Sequence, residues 1–351
     1  MEKIRIGDTL IGNEEPCFIV AEAGVNHNGD INLAKKLIDA AKEAGADAVK
    51  FQTWKTENMI LKDVEMAEYQ KENIRYKESQ YEMLKKLELP YEWHFELKKY
   101  AERIGLVFFS TMEDRESVDF LIKNLKIPLI KVGSGDLTNY PLLKYTARFK
   151  KPMVLSTGMA TLSEVDEAVR TVLNEGNDNI ILLQCTTQYP CLYEDINLRA
   201  MLGLKEAFKT IVGFSDHSLG IECAVAAIAL GAKYIEKHFT LDRRLPGPDH
   251  KASLEPEEFK RMVGAIRNIE KALGDGIKRP MHSELENKKI IVRRIVASRD
   301  IKKGETLNEG NVIFKRTNYG LDARYYTFID GKRAKKDISK DDVITFNFIE
   351  G

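Results

Sequence analysis

The chain has 351 residues, 43% hydrophobic and 31% charged, and its 54 basic side chains are matched by 54 acidic ones. That length supports one large domain, a small companion and a sizeable buried core, and the zero formal balance argues against a general nucleic-acid binder, which carries a basic excess. It leaves room for a local cationic pocket that takes an anionic small molecule.

The first residues, MEKIRIGDTL, are charged and lack the apolar core of a signal peptide. From residue 17 onward, short apolar runs alternate with amphipathic patterns. Strands are predicted over 17–24, 47–53, 106–111, 129–135, 152–158, 179–186, 210–216 and 234–240. Segments such as INLAKKLIDAAKEAG and LSEVDEAVRTVLNEG, with apolar residues three and four apart and a closing glycine, read as the helices between them. Eight strand-then-helix units in succession predict an α/β fold, a (β/α)8 TIM barrel over 1–275. A doubly wound open sheet is the alternative, disfavoured by the regular repeat and the lack of a Gly-rich nucleotide loop. Between the second strand and its helix lies a charged insertion, 54–90, rich in Tyr, Glu and Lys. Insertions of that length are lids or substrate arms, or else solvated excursions.

The longest apolar run, AVAAIAL at 224–230, is too short to span a bilayer. Cys17, Cys185, Cys191 and Cys223 form no CxxC pair, so neither a disulfide framework nor a structural zinc site is expected. A soluble cytoplasmic protein is the expectation. Past 275 the charged stretch 276–289 reads as a linker. Residues 290–351 alternate β-like runs (IVRRIVAS, NVIFKR, DVITFNF) with turns, as in a small β-rich domain.

Chemistry in such a barrel sits at the C-terminal ends of the strands. Those ends carry Glu22, Asn26 and His27; Lys50 and Gln52; Ser110 and Thr111; Lys131 and Ser134; Ser156 and Thr157; Gln184, Thr186, Thr187 and Tyr189; Ser215, Asp216 and His217; Glu236, Lys237 and His238. Two lysines among hydroxyls suit a phosphate or carboxylate; rim ion pairs with Glu22 or Glu236 are the bland alternative, and a Schiff-base lysine the chemical rival. In GFSDHS (213–218), adjacent side chains point in alternating directions, so Ser215, Asp216 and His217 do not form a local relay. His217 and His238 end neighbouring strands and either share a divalent metal or are hydrogen-bonded rim histidines.

The ordered run of AEAGVNHNG, VKFQT, IKVGSGD, VLSTGM, QYP, GFSDHS, EKHFT and LPGPDH, with IKKGE and FKR in the tail, resembles the sialic acid synthase family over nearly the whole chain. The resemblance implies a TIM barrel followed by a SAF (antifreeze-like, β-clip) domain. It also implies condensation of phosphoenolpyruvate with the open-chain aldehyde of a 2-acetamido-mannose sugar, giving a nonulosonic acid and phosphate.

On the family pattern, His217 and His238 are metal ligands, for Mn2+ with Mg2+ or Co2+ as alternatives. Lys50, Thr111, Lys131, Ser134, Ser156 and Ser215 contact phosphoenolpyruvate, and Glu22 is the acid/base residue. Gln52, Tyr189 and Asp249 stand on the sugar and metal side. Arg316 reaches from the SAF domain into the partner's barrel in a domain-swapped homodimer. Nucleic acid and membrane are not expected partners. Thr187 stands where some members place an asparagine against phosphoenolpyruvate. Met112-Glu113 replaces the usual Pro-Phe, and Thr317-Asn318-Tyr319-Gly320 replaces Pro-Gly-x-Gly. The wording of 67–89 resembles the branch that makes N,N'-diacetyllegionaminic acid from a 2,4-diacetamido-2,4,6-trideoxy-mannose. The sialic acid branch, starting from N-acetylmannosamine, is the alternative, and pseudaminic acid stands third. A Schiff-base aldolase and a non-enzymatic sugar- or ice-binding protein are the remote alternatives.

Overall fold

The computed structural model describes residues 3–73 and 79–350, in two compact units, 1–274 and 275–351. The first unit opens with an antiparallel hairpin, β1 (Ile4–Ile6) and β2 (Thr9–Ile11). Ile4, Ile6 and Ile11 are buried in the same hydrophobic cluster as the strands that follow. Burial of each isoleucine contributes about 1.5–3 kcal/mol, which holds this short hairpin on the unit.

Eight parallel strands then close a barrel: β3 (Phe18–Gly24), β4 (Ala48–Thr53), β5 (Val107–Met112), β6 (Ile130–Val132), β7 (Met153–Ser156), β8 (Ile180–Cys185), β9 (Ile211–Asp216) and β10 (Tyr234–His238). Each falls inside or within one residue of a predicted run. The ring closes where β10 pairs with β3, from Tyr234 opposite Phe18 to His238 opposite Glu22. Almost every strand residue is buried, because one side packs the barrel interior and the other the helical ring. Cysteines are free and buried among the described residues, and no helix among them is long and apolar enough to cross a membrane.

The insertion after β4 folds into helices Thr56–Met59, Glu68–Asn73 and Gln80–Leu87, ahead of the barrel helix Tyr91–Arg103. Its residues 74–78 lie outside those described. Helix Gln80–Leu87 starts on a capping box in which Ser79 and Glu82 satisfy each other's backbone N–H groups. Its apolar face, Met83 and Leu87, packs with Val25, Trp54 and Met66. Glu88 closes the base of the insertion through Lys55 (3.0 Å) and the Thr56 hydroxyl (3.0 Å).

In the second unit, β11 (Arg293–Ala297) and β12 (Val312–Arg316) pair antiparallel over a core that includes Ile295, Ile301, Leu307, Ile329 and Ile344. Two sequence expectations need correcting. The stretch read as a linker carries a turn at His282–Glu284 and a helix, Leu285–Ile291. Its charge pattern, Glu286 early and Lys288 and Lys289 late, favours the helix dipole. DVITFNF is not a full strand. Val343 makes one bridge to Val296, the Ile344 N–H is donated to Ile295, and Phe346–Phe348 turns into a 3-10 helix.

Candidate active site

The C-terminal ends of the barrel strands surround a cavity of about 210 Å³, open at its mouth. Fourteen residues are expected in the site on sequence grounds, and thirteen of them line this cavity. The fourteenth, Arg316, lies in the second unit, exposed at the end of β12 opposite Arg293.

Two buried lysines form the floor. Lys50 Nζ lies 2.8 Å from Glu22 Oε2 and donates to Thr111 Oγ1 at 2.7 Å. Lys131 Nζ donates to Ser156 Oγ at 2.8 Å. Glu236 Oε1 sits between them, 3.6 Å from Lys50 and 3.5 Å from Lys131, and accepts from Ser215 Oγ at 3.4 Å. The barrel register makes this meeting inevitable: Glu22 is opposite Lys50, Thr111 opposite Lys131, and Ser215 opposite Glu236. The rim ion pairs of the sequence reading are therefore present, with both lysines lining the cavity.

Electrostatics decide what the floor attracts. Burial pushes the Glu22 carboxyl up to about 7, against the pull of Lys50. Burial also works against charge on Glu236, yet Lys131 and Lys50 hold it below the usual carboxylate range. Lys50, despite burial, is carried above its ordinary value by Glu22 and Glu236. Near neutrality one carboxylate is firmly charged and the other half titrated, set against two lysines. Burial lowers Lys131 while Glu236 pulls it back up, so lysines and carboxylates face one another in a buried setting where charges act more strongly than in water. Hydroxyls are added at the side: Ser134 Oγ accepts the Gly158 N–H at 3.1 Å, and Thr187 Oγ1 is buried without a partner among the described residues. A side chain at Gly158 would place its Cβ 2.3 Å from Thr187 Oγ1 and 2.7 Å from Ser134 Oγ, so only glycine keeps this corner open.

The second half of the site is built on the two histidines. His217 and His238 have ring centroids 5.3 Å apart, with the Tyr189 ring 4.1 Å from the first and 5.4 Å from the second. His217 Nδ1 donates to the Thr186 carbonyl at 2.7 Å, which fixes that nitrogen as the proton carrier and leaves the Nε2 lone pair available. His238 Nδ1 is buried with no hydrogen-bond partner among the described residues, 3.7 Å from Asp249 Oδ2. Burial pushes the His238 pKa well down, so the ring is neutral. Two neutral-capable imidazoles, one with an orphaned nitrogen beside a carboxylate, fit a divalent metal. No three His, Cys, Asp or Glu side chains converge on one point among the described residues, so such an ion would take water or substrate at its other positions.

Glu22 bridges the two halves, since Gln52 Nε2 donates to Glu22 Oε1 at 2.9 Å. At the adjacent Gly24 the strand register shifts and φ is +49°; a Cβ there would come within 3.2 Å of Glu22 Oε1 and 3.4 Å of Asp249 Oδ2. The alternation expected in GFSDHS holds. Ser215 and His217 face the cavity, while Asp216 turns outward to a fully buried ion pair with Lys237 at 2.9 Å and accepts from Ser218 Oγ at 2.6 Å. Removing one partner of such a pair strands a buried charge and costs about 3–5 kcal/mol.

Three contributors escaped the sequence reading as site residues. Glu236, noted at a strand end, is the carboxylate that both lysines share. Glu113, noted only as a departure, lines the cavity beside Gly133. The insertion supplies Gln70, Met83, Leu84 and Leu87 to the wall; the apolar spacing in YEMLKKLEL was its signal.

Comparison with known proteins places the chain in a family. Residues 37–278 match the NeuB family and residues 292–350 the SAF domain. The chain is 49% identical over 329 residues to the N,N'-diacetyllegionaminic acid synthase of Campylobacter jejuni, covering 93% of this chain and 98% of that one. It is 46% identical over 343 residues to the enzyme of the same name from Legionella pneumophila, covering 97% and 96%. Among solved structures, an N-acetylneuraminic acid (sialic acid) synthetase from Leptospira borgpetersenii in complex with citrate superposes with a TM-score of 0.72 at 36% identity, covering 82% of this chain and 95% of that one. With a closed eight-stranded barrel, this rim and a SAF domain, the chain belongs to the NeuB family of sialic (nonulosonic) acid synthases.

Proposed function

We propose that the protein joins phosphoenolpyruvate to the open-chain aldehyde of 2,4-diacetamido-2,4,6-trideoxy-mannose, giving N,N'-diacetyllegionaminic acid and phosphate, with a divalent metal, Mn2+ in the first place, as cofactor. The observation that carries it is the cationic floor of Lys50 and Lys131 beside the His217–His238 pair in one cavity. The two relatives named above for this product support the choice of sugar.

Phosphoenolpyruvate carries a phosphate and a carboxylate, and Lys50, Lys131, Ser134 and Ser156 answer them with charge and short donors. Its C3 attacks C1 of the sugar, forming the C–C bond as the aldehyde oxygen becomes a hydroxyl. Water then adds at C2, and the C–O bond to phosphate breaks as the new ketone forms. A metal held by His217 and His238 supplies Lewis-acid polarisation of a carbonyl. Glu22, with its pKa near 7, is matched to give a proton to the nascent hydroxyl and to take one from the water, a task worth about 10²–10⁴-fold.

The same reading makes the active assembly a domain-swapped homodimer in which Arg316 of each chain serves the other's barrel, and it places the reaction in the cytoplasm, which fractionation of cells would check. The function is tested by incubating the protein with phosphoenolpyruvate, Mn2+ and equal amounts of the diacetamido sugar and N-acetylmannosamine, then weighing the products by mass spectrometry. The diacetyllegionaminic acid mass should dominate. Dominance of N-acetylneuraminic acid would move the protein to the sialic acid branch, and the absence of both masses would refute the condensation.

A further inference from the structure

The cavity has two chemically distinct ends. Its floor is charged, as described. Its other wall comes from the insertion, where helix Gln80–Leu87 contributes Met83, Leu84 and Leu87, flanked by Val25 and Pro248. This wall is built rather than draped. Met83 is 2% exposed, Leu87 8% and Val25 4%, locked together with Trp54 and Met66. The capping box at Ser79 and the Glu88 contacts fix the helix at both ends. Asn73, in the preceding helix, donates its side-chain amide to the Pro248 carbonyl at 2.7 Å, so the insertion is tied to the segment that carries Asp249.

The one polar lining side chain that the described insertion adds is Gln70. Its carbonyl oxygen is already taken by the Ala67 N–H (2.9 Å) and by Gln80 Nε2 (3.1 Å), so its amide nitrogen is the group it can offer as a donor to the cavity.

Position links this wall to the far end of the sugar. Val25 follows the Glu22–Gly24 corner, and Pro248 immediately precedes Asp249. If C1 reacts beside Glu22 and the two histidines, the distal carbons extend toward the insertion. A hydroxyl pressed against Met83 and Leu84 loses its water partners without replacement. A methyl gains contact there, and an acetamido carbonyl finds the Gln70 amide.

We infer that Val25, Met83, Leu84 and Leu87, with Gln70, form the specificity wall of this enzyme, which admits a sugar whose distal half bears methyl and acetamido groups and disfavours one bearing hydroxyls. The inference rests on the proposed condensation and adds to it the residues that choose the sugar.

The test compares kcat/KM for 2,4-diacetamido-2,4,6-trideoxy-mannose and for N-acetylmannosamine in the unaltered full-length protein and in Leu84→Asn. Leu84 is only half-buried, so this change is borne without loss of the fold. The ratio of the two values should fall in Leu84→Asn by about 10-fold or more, within the about 10–200-fold that a small apolar group controls in a pocket, while the KM for phosphoenolpyruvate stays in place. Val25→Thr introduces a hydroxyl at nearly constant shape into the same apolar cluster and should shift the ratio in the same direction. Leu84→Met should keep it. A ratio unchanged in both polar variants, with the unaltered protein active on the diacetamido sugar, would overturn the wall and leave the condensation standing. An unaltered protein that prefers N-acetylmannosamine would also overturn it. Turnover of neither sugar would sink the condensation reading and the wall together.

Discussion

Glu113 shows how much one side chain depends on neighbours remote in sequence. It follows Met112 at the end of β5 and faces Asp136, in the turn Ser134–Asp136 after β6. Burial and the Asp136 carboxylate push its acid up to about 8, with Lys50 and Lys131 pulling the other way. Below that pH it carries its proton and adds no negative charge beside the floor. Above it, a new anion stands near the lysines and repels phosphoenolpyruvate. The KM for phosphoenolpyruvate should therefore rise several-fold, up to about tenfold per pH unit for a single titrating group, as pH climbs past 8. In Glu113→Gln that rise should flatten. A steady-state series from pH 6.5 to 9.5 on both proteins decides it; parallel curves would clear Glu113 of the effect. Glu22→Gln should lower kcat by about 10²–10⁴-fold with little change in phosphoenolpyruvate affinity, read by isothermal titration. His217→Ala and His238→Ala should each lose bound metal, measured by elemental analysis of the purified protein, and lose turnover, while circular dichroism stays native.

The strand-end residues were legible because a barrel strand is buried on both sides. A lysine or glutamate inside such an apolar run has to be explained by a partner or a ligand. Which carboxylate serves which lysine was not legible, since Glu236 reaches both only through the barrel's closure.

At the scale of elements, periodicity located the barrel strands and misjudged the pieces whose pattern was short or masked. The hairpin β1–β2 has three-residue strands, too brief for alternation to register. Helix Leu285–Ile291 was hidden in a charged stretch, and DVITFNF alternates like a strand although its backbone groups bond to several different segments. The insertion was recognised as a substrate arm or an excursion, and its three helices and contribution to the cavity favour the former. Its cap offers a test that spares the cavity residues. Ser79→Ala removes the hydroxyl that accepts the Glu82 N–H, leaves the backbone N–H of residue 79 on Glu82, and weakens that helix by about 0.5–2 kcal/mol. The sugar KM should rise while the phosphoenolpyruvate KM holds, since the floor is carried by the barrel. Equal rises in both would mean that the helix braces the whole site.

For the whole molecule, thirteen of the expected residues come from the first unit and Arg316 from the second. A domain-swapped dimer makes a sharp prediction about mixtures. Arg316→Ala and Glu22→Gln homodimers should each be poor enzymes. Unfolded and refolded together, they should recover activity toward about a quarter of the unaltered level, because half the dimers are mixed and each mixed dimer has one complete site. No recovery would place Arg316 outside its partner's barrel.

Lys50 bears on the rival chemistry. Glu22 and Glu236 carry its pKa up despite burial, which disfavours a Schiff base there, whereas burial lowers Lys131 and leaves that lysine as the rival's candidate.

The proposed condensation draws on the lysine floor and the His217–His238 pair together, and phosphate release reads out that dependence. Metal-stripped protein is mixed with phosphoenolpyruvate and 2,4-diacetamido-2,4,6-trideoxy-mannose, and phosphate is followed before and after Mn2+ is restored. Release should require sugar and metal together and stop again on chelation. Release without metal, or a borohydride-stable adduct on Lys50 or Lys131, would contradict the account.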